Sequence, residues 1–128
     1  GLMLLTNYVA IALGGAIGAC FRYVLSEWML LLLGRAFPFG TLLVNILGAF
    51  AIGVLYGLLL SEQIHPNPWR IFIGIGVLGA FTTFSTFSLD TLLLIQQGDI
   101  VKAALNVLLN VFLCITLTWL GLKLGTLK

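Results

Sequence analysis

The stretch TTFSTFSLDT, residues 82–91, holds six Thr or Ser and one Asp among its ten residues. The chain around it is 61% hydrophobic and 8% charged, with a mean hydropathy of +1.19. Soluble domains carry about 25% charged residues, and a water-facing surface cannot be built from so few. The hydroxyl-rich run therefore lies inside an all-α integral membrane protein, in a segment apolar enough to span.

A spanning helix needs about 20 mostly apolar residues. Segments 7–33, 41–60, 69–96 and 100–124 meet that need. GRAFPFG (34–40), SEQIHPNP (61–68) and QQGD (96–99) supply the turn chemistry between them. Residues 1–128 read as a single four-helix transmembrane domain without a soluble domain or long repeat. The N-terminus has no basic stretch and its first apolar segment is too long for a signal h-region, so no cleavable leader is expected.

The net charge of +2 is too small to suggest nucleic acid. Cys20 and Cys114 lie in apolar segments, with neither zinc-site spacing nor a disulfide context. His65 reads as a solvated loop residue beside Pro66. No nucleophile–base pair or metal cluster stands out, and an enzyme is not expected.

Four spans place both termini and loop 61–68 on one side, with Arg70, Lys123 and Lys128. Arg22, Arg35 and Lys102 belong to the other side. Orientation follows an excess of Lys and Arg on the cytoplasmic side. Three facing three gives no excess, so insertion both ways is expected; the alternative is that one residue's position decides. Four short helices are few for enclosing a water path, so a homo-oligomer is expected. With both orientations present, the simplest assembly is an antiparallel dimer, whose two-fold axis in the membrane plane mimics the inverted repeats of transporters.

A rise of about 1.5 Å per residue turns sequence position into depth. Arg22, Asn45, Asp90 and Asn106, one per span, then share one half of the bilayer. Polar groups at such depth usually face a bundle interior or a wet cavity. The reading is a vestibule in which Arg22 and Asp90 pair; the alternative is four private helix–helix hydrogen bonds. Asn106, Asn110 and Cys114 recur every four residues and share a face that Thr118 continues. Such a stripe lines a pore or joins helices. Gly14, Gly15, Gly18, Gly48, Gly53 and Gly57 read as packing surfaces.

The third segment, IGIGVLGAFTTFSTFS (73–88), has two readings. Gly74, Gly76 and Gly79, followed by Thr82 and Thr83, weaken the helix near mid-span. A break there frees carbonyls, tolerated only where protein or a cavity satisfies them, and such carbonyls suit a hard cation. With a two-fold axis at the break, two carbonyls per chain make a four-oxygen cage. In the other reading the helix is unbroken and its hydroxyls bond back to their own turn. Phe84 and Phe87 share a face, as do Ser85 and Ser88. An aromatic ring has a positive edge, which can meet an anion.

GGAIGACFRY (14–23), GTLLVNILGAF (40–50) and GAFTTFSTFS (79–88) resemble the small fluoride channels of bacteria, the Fluc or CrcB family, over nearly the whole chain. The resemblance implies a multi-pass protein of the bacterial inner membrane. It implies an antiparallel, dual-topology homodimer with two pores and a third helix broken near the bilayer midplane. It implies a structural Na+ at the dimer interface, held by the carbonyls of Gly79 and Thr82 from both subunits. Phe84 and Phe87 match the pore phenylalanines, Asn45 the pore asparagine and Arg22 the vestibule arginine, with Asp90 where an acid follows the Phe-Ser motif. Ser85 or Ser88, with Asn106 and Asn110, would complete the fluoride path. The family's fourth helix often carries Tyr and Ser, where this chain has Asn106, Asn110 and Cys114. The alternative class is a small dual-topology, proton-coupled multidrug or cation transporter. That class needs a titratable acid inside the membrane, and Asp90 is the candidate.

Overall fold

In the computed structural model, which describes residues 1–127, every regular element is helical. Lys128, counted above in the charge balance, lies outside the described residues. The elements are α1 (Leu2–Leu33), α2 (Phe39–Leu60), α3 (Pro66–Trp69), a π-helical segment (Arg70–Leu78), α4 (Gly79–Phe81), α5 (Phe84–Gln96) and α6 (Ile100–Gly125). Four stretches are long and apolar enough to cross a membrane: α1, α2, Pro66–Gln96 and α6. The helices overrun their hydropathic cores: α1 begins well before residue 7, and the third stretch begins at Pro66 rather than 69. The added start of α1, Leu2–Leu5, is itself apolar, whereas the third stretch gains the polar turn at Pro66 and Asn67.

The connections follow from local chemistry. Gly34 ends α1 with φ 79°, and its N–H bonds the Leu30 carbonyl at 2.9 Å. Gly98, at φ 86°, turns the chain between α5 and α6. Left-handed backbone at a helix end is the usual task of glycine. His65 is exposed, as a loop residue should be, and its Nδ1 accepts from the Asn67 N–H at the start of α3.

Large side chains cover the outside. Leu31 is 83% exposed, and Leu32, Phe112 and Ile115 are exposed as well. In water that surface would be an aggregation liability, whereas a lipid bilayer is its natural solvent. The interior is correspondingly thin, and glycine makes it possible. α2 packs chiefly on α6, and α1 on the π-helical segment. A Cβ at Gly53 would land on the Thr118 carbonyl, and one at Gly121 on the Phe50 carbonyl. Gly14 and Gly18 face the Phe72 and Val77 carbonyls in the same way. Lipid tails are as apolar as leucine, so close backbone approach and interhelical hydrogen bonds hold such bundles together.

The third spanning stretch is irregular twice. Residues 70–78 are wound as a π-helix, a form usually limited to single turns and frequent at functional sites. Thr82 (φ −84°, ψ 158°) and Thr83 (φ −150°, ψ 118°) are then extended, separating α4 from α5. Back-bonding occurs beside this interruption. The Thr82, Ser88 and Thr91 hydroxyls donate to the carbonyls four residues earlier, at 3.0, 2.9 and 2.8 Å.

Candidate functional site

Thr83 organises the interruption. Its hydroxyl caps α5 by accepting from the Thr86 N–H at 3.1 Å, as an N-cap threonine does. Its own N–H donates to Asn45 Oδ1 at 2.8 Å, and its carbonyl accepts from Asn45 Nδ2 at 3.2 Å. One carboxamide on α2 thus holds both sides of this residue.

These diversions decide which carbonyls lose their helical donors. The Gly79 carbonyl would ordinarily bond the Thr83 N–H, which goes to Asn45 instead. The Thr82 carbonyl would ordinarily bond the Thr86 N–H, which goes to the Thr83 hydroxyl. Ala80 is compensated, because its carbonyl accepts from Arg22 Nε at 3.0 Å. A cation beside the carbonyl end of a helical segment also suits the segment's dipole. The main-chain oxygens left without their helical donors thus include those of Gly79 and Thr82, along with that of Phe81. Neutral oxygens of this kind suit a hard cation such as Na+, and Gly79 lies on an exposed part of the surface.

A cleft of about 440 Å³ opens beside the interruption, between α2, the third stretch and α6. Asn45, Gly79, Thr82, Thr83, Phe84, Phe87, Asn110 and Cys114 are among its lining residues. Phe84 and Phe87 sit with ring centroids 5.3 Å apart and planes tilted by 52°. Phe87 is 9% exposed and packed in, whereas Phe84 is 78% exposed and projects from the chain.

A chain of amides runs from the cleft into the bundle. Asn45 Nδ2 donates to Asn110 Oδ1 at 3.0 Å. Asn110 Nδ2 donates to the Asn106 carbonyl and to Asn106 Oδ1, at 2.8 and 3.1 Å. Asn106 Nδ2 donates to the Thr91 hydroxyl at 3.0 Å. Among the described residues, every buried side-chain nitrogen and oxygen has a partner.

The structure thus brings Asn45, Phe84, Phe87, Asn110, Gly79 and Thr82 to one cleft. Asn106 stands behind Asn110 at 0% exposure, away from the cleft lining. Ser85 and Ser88 are exposed on α5, with Ser85 Oγ 3.2 Å from the Thr83 hydroxyl. Arg22 and Asp90 do not pair, contrary to the sequence expectation. Arg22 serves the Ala80 carbonyl, while Asp90 accepts from the Thr41 hydroxyl at 2.8 Å. Helical rise gives depth but not direction around the axis, and both groups found nearer partners. Sequence reasoning missed the roles of Thr83, Thr41 and Thr91. A capping signal was present at Thr83, since a threonine preceded the polar start of a helix. Nothing local marked the other two.

Four apolar spanning helices, with a mostly apolar cleft that carries a few amides and hydroxyls at an interruption, define a small multi-pass membrane protein. The chain belongs to the CrcB family: residues 9–122 match the family described as "CrcB-like protein, Camphor Resistance (CrcB)". It is 62% identical over 114 residues to the "Fluoride-specific ion channel FluC" of Pseudoalteromonas translucida (strain TAC 125), covering 89% of this chain and 95% of that protein. The protein of the same name from Vibrio parahaemolyticus serotype O3:K6 (strain RIMD 2210633) is 56% identical over 114 residues, 89% of this chain and 90% of its own length. The one from Shewanella oneidensis strain MR-1 is 54% identical over 120 residues, 94% of this chain and 96% of its own length.

Proposed function

We propose that the chain is a passive, fluoride-selective channel of the bacterial inner membrane, working as an antiparallel dual-topology homodimer with two pores. The relatives' names support fluoride as the permeating ion. The observation that carries the reading is the cleft itself, where the Asn45 amide and the Phe84 and Phe87 rings meet at the interruption. Fluoride is small and strongly hydrated, so a path for it must replace water without trapping the ion. Neutral donors and ring edges do that better than a buried cation would.

In this reading the third span is broken near the bilayer midplane. Arg22 gathers the anion at the vestibule with the guanidinium nitrogens that Ala80 does not use, and Asp90 borders the same entrance. The first turn of α5 offers main-chain N–H groups, and a helix N-terminus favours an anion. Ser85, and Asn45, Ser88 and Asn110 once an amide or hydroxyl hydrogen turns from its present partner, exchange hydration water for hydrogen bonds, with Asn106 behind them, and Phe84 and Phe87 form the constriction. A ring as exposed as Phe84 is suited to cover by a second protomer. The Gly79 and Thr82 carbonyls of both subunits would hold a structural Na+, which supplies a fixed positive charge at the dimer centre. The transporter reading gains nothing from the cleft, because Asp90 is not among its lining residues.

The test is efflux from proteoliposomes, read with a fluoride electrode and run against chloride. Rapid fluoride release with chloride retained is the expected result; sealed vesicles that keep their fluoride overturn the reading. Phe84→Ile and Phe87→Ile should each slow release by about tenfold or more, equivalent to about 1.4 kcal/mol of barrier. Normal release in both variants removes the rings from the path. A separate measurement addresses the dimer. Two lysines added to loop 34–38 should convert mixed orientation into one, read by tag accessibility from either side, and fluoride efflux should fall with it. A wild-type chain already inserted one way only would defeat the antiparallel arrangement.

A further inference from the structure

The amide chain has a direction, and its two ends lie on the same turn of helix. Asn45 donates to Asn110, Asn110 to Asn106, Asn106 to Thr91, and the Thr91 hydroxyl to the Phe87 carbonyl at 2.8 Å. At the other end the Thr83 N–H donates into Asn45. Thr83 is the cap of α5 and Phe87 lies one turn on. The side chains therefore close a loop around the turn that carries Phe84 and Phe87. Each amide uses both ends: its oxygen accepts from one neighbour and its NH2 group donates to the next. That fixes the orientation of every member, because turning one amide over would set oxygen against oxygen and nitrogen against nitrogen.

Asn106 and Thr91 are not among the residues that line the cleft, though each is bonded to one that does, and Asn106 is wholly buried. Neither touches an ion in the cleft, yet both belong to the loop that holds the turn. We infer that Asn106 and Thr91 are positioning residues for permeation: through Asn110 and Asn45 they set the tilt of the first turn of α5, and with it the spacing of the Phe84 and Phe87 rings. This rests on the channel reading above. It gives α6 of this chain a role distinct from lining a path: Asn110 meets the cleft, and Asn106 braces Asn110 from behind. A satisfied buried polar network rigidifies what it connects, and a partly satisfied one is costly. The whole loop is therefore expected to respond as a unit.

Thr91→Val tests this with almost no change of volume, and Asn106→Leu tests it at the centre of the loop. The readouts are fluoride efflux and the fluoride-to-chloride flux ratio in proteoliposomes, corrected for the amount of protein inserted. Both variants should slow fluoride by about tenfold, and both should lower the ratio, because the ring spacing changes. The double variant should be no worse than the poorer single one, since residues of one network are not additive. Ser61→Ala supplies the comparison: its hydroxyl joins the end of α2 to the Gly125 carbonyl at 3.2 Å, outside the loop, and its flux and ratio should match wild type. Normal flux and ratio in Thr91→Val overturns the inference. So does slower flux with an unchanged ratio and additive effects, which is what lost packing alone would give. If Asn106→Leu does not fold, Thr91→Val decides. A wild-type protein that passes no fluoride fails the channel reading and the inference with it; a conducting wild type beside an unaffected Thr91→Val fails the inference alone.

Discussion

Asn45→Asp should bring fluoride efflux close to background while the protein still assembles. The amide nitrogen of Asn45 donates to the Thr83 carbonyl and to Asn110 Oδ1. A carboxylate places oxygen where that nitrogen stood, so two attractive contacts become oxygen facing oxygen. A net hydrogen bond is worth about 1 kcal/mol, and leaving a buried partner unsatisfied costs about 1–3 kcal/mol. Two such losses loosen the site beside the cleft, and a decrease in efflux of about a hundredfold or more, equivalent to about 2.8 kcal/mol of barrier, is expected. The added negative charge acts in the same direction, since it repels the anion at the cleft. Only the bond from the Thr83 N–H survives. Efflux from proteoliposomes measures the effect, and size-exclusion chromatography in detergent confirms assembly. Ordinary conduction in this variant would mean that Asn45 neither faces the ion nor holds the interruption.

Gly121→Val should have the largest effect on stability. A Cβ at this position falls on the Phe50 carbonyl and lies 2.9 Å from the Val54 nitrogen. Those atoms are backbone of α2 and cannot swing aside as a side-chain tip would. Replacing glycine within a helix ordinarily gains up to about 1 kcal/mol for Ala and less for β-branched Val. Overpacking costs about 1–3 kcal/mol even where side chains can adjust. The steric term therefore wins, and α2 and α6 must part. The expected outcome is a clear fall in the temperature at which the protein leaves the monodisperse peak. Unchanged thermal behaviour would contradict the close α2–α6 approach.

The spans were legible in the sequence because membrane insertion is a local property. Twenty apolar residues in a row announce themselves without knowledge of what they pack against. The glycines were legible as packing surfaces, and Gly14, Gly18, Gly48, Gly53 and Gly57 do meet neighbouring atoms at very short range, whereas Gly15 turns to the open side of α1 and meets nothing within 4 Å. Residues 73–88 were legible only as a choice between a broken helix and an unbroken one with back-bonded hydroxyls. Thr82 and Thr83 are extended, and the neighbouring hydroxyls back-bond as well. Back-bonding alone does not require that the helix run on unbroken.

What the sequence could not convey depends on azimuth and on distant partners. Asn45 and Thr83 are 38 positions apart, and no local pattern links them. Arg22 was assigned the right kind of setting, a polar group inside a span, but the wrong partner. A carbonyl that has lost its helical donor becomes an acceptor only once the backbone geometry is known. The π-helical winding of residues 70–78 is equally silent, since an i→i+5 pattern leaves no signature in an almost uniformly apolar stretch.

The unequal lengths of the helices bear on how the protein sits in lipid. α1 has 32 residues, about 48 Å at 1.5 Å per residue. At a typical tilt of about 20° it crosses about 45 Å, the full bilayer with both headgroup layers. α2, with 22 residues, reaches about 33 Å, close to the hydrocarbon thickness alone. Longer acyl chains would thus leave α1 with length to spare while stretching the surroundings of α2. Hydrophobic mismatch would fall first on the helix that carries Asn45, so the lipid's own dimensions bear on the amide that grips Thr83.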